Sequence, residues 1–187
     1  VTTLLLVRHG ATMWTEDGRL QGGTDIDLSE TGCREVRRMA AVVASWAPRT
    51  VIASPLARTR STAELLGARE VRLDSRWAEA GLGEWEGRTP EDVGEDYHRW
   101  RAGSLVPPAG ELPEHVTART AAAVFDAVAQ PGPVLVLTHG GVIRSVLDRF
   151  IGLPAARLVP VAAPSITALD IDADGSARLR AFNLGAY

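Results

Sequence analysis

The sequence predicts an α/β protein: one three-layer α/β/α domain over residues 1–187, its sheet mostly parallel and finished by an antiparallel edge hairpin. Three observations carry this reading. Short apolar runs at Leu4 to Val7, Thr50 to Ala53 and Val134 to Leu137 do not alternate, which is the pattern of strands buried on both faces. Each run leads towards a segment with apolar residues at helical spacing, so strands alternate with helices. Near the end, two further runs flank Asp174-Gly175, a dipeptide suited to a hairpin turn.

In chain order, the first strand, Leu4 to Val7, stops at Arg8-His9-Gly10. Asp25 to Gly32 is turn-rich. From Cys33 to Trp46, apolar residues fall at 33, 36, 39, 40, 43 and 46, one face of a helix, with Ser29 as its N-cap and Pro48 beyond its end. The second strand, Thr50 to Ala53, closes on Ser54-Pro55. Leu56 to Leu66 is a helix that Gly67 stops. Trp77 to Pro113, rich in Gly, Pro and Trp, is the least regular stretch; it holds a short helix from Pro90 to Trp100 and a loop at Pro107-Pro108 and Gly110. An amphipathic helix spans Pro113 to Ala129. The third strand, Val134 to Leu137, breaks at Thr138-His139-Gly140-Gly141, and Val142 to Ile151 follows as a helix. Ile166 to Ile171 and Ala177 to Phe182 form the hairpin.

Composition narrows the function classes. Hydrophobic residues are 45% of 187, enough for a core, and charged residues are 23%. The net charge of -3 gives no basic footprint for nucleic acid and no polybasic patch for a membrane. No run reaches the roughly 18 apolar residues of a transmembrane helix. Cys33 is the single cysteine, so no intrachain disulfide and no cysteine metal site is expected. A cytoplasmic protein is expected. All basic side chains other than histidine are Arg, so phosphate contacts would be made by guanidinium forks.

In a parallel sheet, ligands bind beyond the carboxyl ends of the strands. The residues there are Arg8-His9-Gly10, Ser54 to Arg58, and Thr138-His139-Gly140. Two arginines flanking two histidines suit a tetrahedral oxyanion better than a divalent metal. Backbone N–H groups after His9 and His139 can add to the grip. Phosphoryl transfer spreads charge over three oxygens, which two guanidiniums and one imidazolium can meet. The other imidazole can attack phosphorus in line, provided its partner nitrogen carries the proton and donates it to a backbone carbonyl. The departing alkoxide needs a carboxylic acid nearby. The residues alone leave Glu79, Glu84 and Glu86 open for that role.

The blocks RHGATMW with GRLQG, SPLARTRSTA, AEAGLGEWEG and LTHGGVIRSVL, in that order, resemble the histidine phosphatase superfamily, whose fold is phosphoglycerate mutase-like. The likeness is to the branch of α-ribazole phosphatases and broad-specificity phosphatases, and it spans nearly the whole chain. It implies that His9 is the phosphorylated nucleophile, that Arg8, Arg58 and His139 complete the phosphate pocket, and that Glu79 is the proton donor. It also implies that Gln21 and Gly22 line the phosphate and substrate mouth, that the Gly140 N–H adds a contact, and that no metal or other cofactor is needed.

The family often reads RHGxTxxN. Here Thr15 takes the Asn place, and its hydroxyl can donate to a phosphate oxygen with shorter reach. Leu112 follows Glu111 where the family often has Ser. Trp14, Leu82 and Trp85 are expected near the mouth. His98 and His115 are expected on the solvated surface, Cys33 on a helix face, and Arg144 on the surface or in a salt bridge. Ser54 either orients a catalytic group or serves the turn.

The resemblance implies hydrolysis of a small phosphomonoester through a phosphohistidine. The alternatives are phosphoglycerate mutase-type transfer and a catalytically idle phosphate-binding scaffold. Glu79 and His139 lie 60 positions apart, an interval that two helices and a strand nearly fill. Little is left for a lid, which favours the phosphatase. The last hairpin leaves an edge strand through which a homodimer could pair.

Overall fold

The computed structural model describes residues 1–185. One six-stranded sheet runs through it, in the order β3-β2-β4-β1-β5-β6. Strands β1 (Thr2–Arg8), β2 (Thr50–Ala53), β3 (Arg72–Leu73) and β4 (Val134–Thr138) are parallel. The hairpin strands β5 (Ser165–Ile171) and β6 (Ala177–Leu184) run antiparallel, β5 against β1. The mostly parallel sheet with an antiparallel edge hairpin is therefore as the sequence indicates.

The alternation of β1 sorts the core into two layers. Leu4 and Leu6 face helices α6 (Pro113–Val128) and α7 (Gly140–Ile151), packing with Val124, Ala127, Ile143 and Leu147. Leu5 and Val7 face the other side, where α2 (Glu30–Ser45) and α3 (Ala57–Leu65) supply Met39, Val43 and Ala63. All four β1 side chains are at most 1% exposed, which explains why the strand shows no polar alternation.

Ser29 caps α2 as expected, accepting from the Gly32 N–H at 3.0 Å, so the helix starts at Glu30, three residues earlier than its apolar face. The expected helix from Pro90 to Trp100 is two pieces, α4 (Pro90–Val93) and α5 (Glu95–Arg101). Gly94, at φ 73 and ψ -141, breaks the run. A one-turn helix α1 (Met13–Glu16), closed by a Thr12–Thr15 capping box, and the two-residue, exposed β3 have no apolar pattern to announce them.

Candidate active site

Strand β1 ends where it lies between β4 and β5: Arg8 pairs with Thr138 and with Ser165. The His9 N–H donates to the Thr138 carbonyl at 3.1 Å, extending the ladder one residue past the strand. The sheet thereby fixes the backbone of His9, and α7 starts directly after His139 on the neighbouring strand. The two imidazoles meet with ring centroids 5.1 Å apart, tilted by 58°.

The carbonyl of Gly10 lies 2.7 Å from His9 Nδ1. A carbonyl only accepts, so Nδ1 carries the proton and Nε2 holds the free lone pair. This is the tautomer that in-line attack requires. His139 Nε2 lies 2.9 Å from Ser54 Oγ. Ser54 itself accepts from the Leu56 N–H at 3.4 Å, which leaves the hydroxyl proton for His139. Ser54 thus orients the second histidine as well as serving the turn.

Burial pushes both histidines well below the ordinary histidine range, with the guanidiniums of Arg8 and Arg58 adding to the effect. At neutral pH both rings are neutral in this structure. The imidazolium expected in the cage is thus a state that only a bound anion would favour.

The arginines also differ from a pair of free forks. Arg58, fully buried, spends both terminal nitrogens on the loop of Gly22 and Thr24, donating to each carbonyl at 2.7 Å. Arg8 donates one terminal nitrogen to the Val161 carbonyl. Burial pulls Arg8 down to about 10, with Glu79 opposing and Arg144 and Arg58 reinforcing, so it stays charged at neutral pH. Arg8 Nε, Arg58 Nε and His139 Nδ1 are buried without a protein partner. Buried nitrogens of this kind are costly unless paired, and an oxyanion is the group that pairs with several at once.

Glu79 reaches the same place from the loop after Trp77. Its carboxylate accepts from the Ala80 N–H and from the Gly141 N–H, each at 3.0 Å. The start of α7 favours a negative group there. Gly141 is needed for this approach, because a Cβ there would lie 2.3 Å from Glu79 Oε1. Of the other acids, Glu86 is occupied elsewhere: it accepts from the N–H groups of Gly23 and Leu82, at 2.9 Å each, and from the Thr24 hydroxyl. It clamps the loop that Arg58 also holds. Gly22, at φ 54, lets that loop pass Glu86 at close range.

These groups open on a cavity of about 150 Å³. Arg8, His9, Gln21, Gly22, Arg58, Glu79 and Gly140 line it, as the sequence led one to expect. Thr15 and His139 stand one step back. Thr15 accepts from Gln21 Nε2 at 2.9 Å, while Thr12 donates to the Gln21 carbonyl at 2.9 Å, so the pair fixes the Gln21 amide. Leu82 lines the cavity; Trp85 sits behind it, edge-on to Trp100, and Trp14 lies against Gly87. His98 and His115 are exposed, as expected.

Sequence reasoning missed Arg144. It was expected on the surface or in a salt bridge, yet it lines the cavity and has no salt bridge among the described residues. Its helix alternates apolar and polar faces, and a lone arginine on such a helix reads as solvated. The interval from Glu79 to His139 leaves little for a lid, yet the short helix α5 reaches the mouth and contributes Tyr97, Trp100 and Arg101 to its lining. Its many charges concealed that its aromatics form a face. Among the described residues, no group of three or more His, Cys, Asp or Glu side chains is placed to hold a metal ion. No described helix is long and apolar enough to cross a membrane.

Comparison with known proteins adds the following. The family model described as "Histidine phosphatase superfamily (branch 1)" matches residues 4–184. A glucosyl-3-phosphoglycerate phosphatase of Mycobacterium tuberculosis is 33% identical over 171 residues, covering 82% of this chain and 77% of its own. An acid phosphatase of the same species is 34% identical over 157 residues, with the same coverage of 82% and 77%. The solved structure of a mycobacterial glucosyl-3-phosphoglycerate phosphatase with VO3 superposes with a TM-score of 0.88 at 30% identity, covering 99% of this chain and 100% of that one.

Proposed function

Because the chain belongs to the histidine phosphatase superfamily, we propose that it hydrolyses a small phosphomonoester in two steps through a phosphohistidine at His9. The observation that carries this reading is the fixed tautomer of His9, with Nδ1 donating to the Gly10 carbonyl at 2.7 Å and Nε2 free in a cavity lined by the buried Arg58 and the half-buried Arg8.

In the first step, the Nε2 lone pair forms a bond to phosphorus as the ester P–O bond breaks. The leaving alkoxide takes the proton of the Glu79 carboxylic acid and departs as an alcohol. The equatorial oxygens meet Arg8, Arg58, His139 and the Gly140 N–H, which stabilise charge as it develops. In the second step, Glu79, now a carboxylate, takes a proton from water as the water oxygen attacks phosphorus. The P–N bond breaks and inorganic phosphate leaves, restoring His9.

Gln21 and Gly22 hold the substrate at the mouth, with Thr15 keeping the Gln21 amide in place. No metal enters the scheme. The reading places the reaction in the cytoplasm, supported by the single unpaired Cys33. Two copies could pair along the open edge of β6.

The test is phosphate release from a panel of phosphomonoesters in chelator, with glucosyl-3-phosphoglycerate and 3-phosphoglycerate plus its bisphosphate primer included. Release that vanishes in His9→Ala is the expected result. Isomer exchange without release would mean a mutase. Silence on both, with phosphate still binding, would mean an idle scaffold.

A further inference from the structure

A second cavity, of about 260 Å³, opens beside the phosphate cage. The two share Leu82, Trp100, Arg101, Gly141 and Arg144, so they adjoin along these residues. Trp100, Leu105, Pro107 and Val116 make much of the second cavity apolar. The junction itself is cationic. Arg144 rises from α7 one turn after Gly140, and Arg101 ends α5 opposite.

Neither guanidinium has a salt-bridge partner among the described residues. Burial lowers Arg144 from the usual arginine value, with Glu79 opposing and Arg101 reinforcing the fall. The carboxylates in the second cavity are not at the junction's service. Glu111 is held by Arg119, at 2.7 and 2.9 Å. Asp148 is exposed and lines the second cavity alone.

The charge balance is the point. Among the described residues, Glu79 is the one carboxylate in the lining of the cage, and Asp25 and Glu86 act on Arg58 from behind it. Arg19, also at the mouth, is engaged by the Gly87 carbonyl at 2.7 Å and by Asp17 at 3.7 Å. A phosphate dianion is met by Arg8 and Arg58 in the cage, which leaves Arg101 and Arg144 at the junction without a salt-bridge partner of their own among the described residues. An unpaired guanidinium that is partly withdrawn from water is costly, and a second anion on the ligand removes that cost.

We propose that the leaving alcohol carries a second anionic group, seated on Arg144 and Arg101 at the junction of the two cavities. Arg144 and Arg101 then act as specificity residues, and the apolar cavity beyond takes the remainder of the alcohol. This inference rests on the phosphatase reading above. A carboxylate and a second phosphate offer the same oxyanion chemistry to a guanidinium fork.

The experiment uses matched pairs of phosphomonoesters that differ only in the second anion. 3-Phosphoglycerate is compared with glycerol 3-phosphate, phosphoserine with phosphoethanolamine, and fructose 1,6-bisphosphate with fructose 6-phosphate. The expected result is a kcat/KM roughly tenfold or more higher for the anionic member, carried by KM, in at least one pair. Preference in the first two pairs identifies a carboxylate, and in the third a second phosphate. Arg144→Met keeps the aliphatic volume and should collapse that ratio towards one; Arg101→Met provides the same reading if the first variant does not fold. Equal kcat/KM within every pair in the wild type overturns the second-anion subsite and leaves the phosphatase reading standing. So does a ratio that both variants leave unmoved. Absence of release from every compound, together with no phosphoryl label on His9, overturns the phosphatase reading itself.

Discussion

Gly141→Ala separates Glu79, the proposed general acid, from the rest of the site. The added methyl would sit 2.3 Å from Glu79 Oε1 and 3.0 Å from its carboxyl carbon. Contacts this short force a shift, and the far end of Glu79 is the part free to move. The carboxylate swings away and loses the Gly141 N–H bond, now 3.0 Å long. A hydrogen bond to a charged group contributes about 1.5–3 kcal/mol, so the displaced acid should cost roughly tenfold to 150-fold in the rate of phosphoryl transfer to His9. That loss applies only where the leaving group needs a proton. For p-nitrophenyl phosphate, whose leaving anion is stable, the first-step rate should fall by no more than about threefold, while the second step, in which Glu79 is the base, slows for every substrate. The fold should not suffer, because alanine favours the second position of α7 by about 0.5–1 kcal/mol over glycine. The assay is the single-turnover rate of the first step on an alkyl phosphate and on p-nitrophenyl phosphate, with the melting temperature as a control. Equal slowing of that step for both substrates at an unchanged melting temperature would refute the assignment of Glu79 as proton donor, as would no slowing of either.

Other outcomes follow from the same geometry. His9 and His139 are held neutral by burial, whereas in the unfolded chain they protonate near 6.5. The unfolded state therefore binds more protons below that pH, and stability should fall as pH drops from about 6.5, by about 2.7 kcal/mol per unit for the two groups together. Urea unfolding at several pH values checks this; a flat profile between pH 6.5 and 5, or a slope that a His9→Gln/His139→Gln variant leaves unchanged, contradicts it. Ser54→Ala removes the partner of His139 Nε2 and should lower kcat roughly threefold to tenfold with little change in KM. It should also shift the acidic limb of the pH–rate profile, a change that a merely structural serine would not produce. Glu86→Ala frees the loop of Gly22, Gly23 and Thr24, and should raise KM more than it lowers kcat. A fall in kcat that spares p-nitrophenyl phosphate would instead make Glu86 the acid.

How far the sequence discloses this site depends on where each residue sits. Arg8, His9, Arg58 and His139 follow strands that are apolar on both faces, so the chain marks them by contrast. The two-face burial of β1 was readable for the same reason, and the hairpin was readable from Asp174-Gly175 at its turn. Glu79 has no such mark. It lies in an irregular loop with Glu84 and Glu86 close by, and only the likeness of the surrounding block to a known family singled it out. Its true anchor is the start of α7, a contact across 62 positions. Arg144 was hidden by its helix, where a charged residue among apolar neighbours normally points to water. The share of α5 in the cavity lining was hidden by composition. Helix α5 reads as a charged surface segment, and only packing brings Tyr97 and Trp100 to one side. The neutral state of both histidines could not be read either, since it depends on burial and on two guanidiniums brought together by three separate strands.

The most direct test of the account is to trap the phosphoenzyme. The protein would be mixed with a labelled substrate, quenched in alkali, where phosphohistidine survives, and digested. The account predicts a phosphoryl group on the peptide containing His9, lost in acid, absent in His9→Ala and accumulating in Glu79→Gln when the substrate is p-nitrophenyl phosphate. Turnover with no label on His9, or with the label on His139, would contradict it.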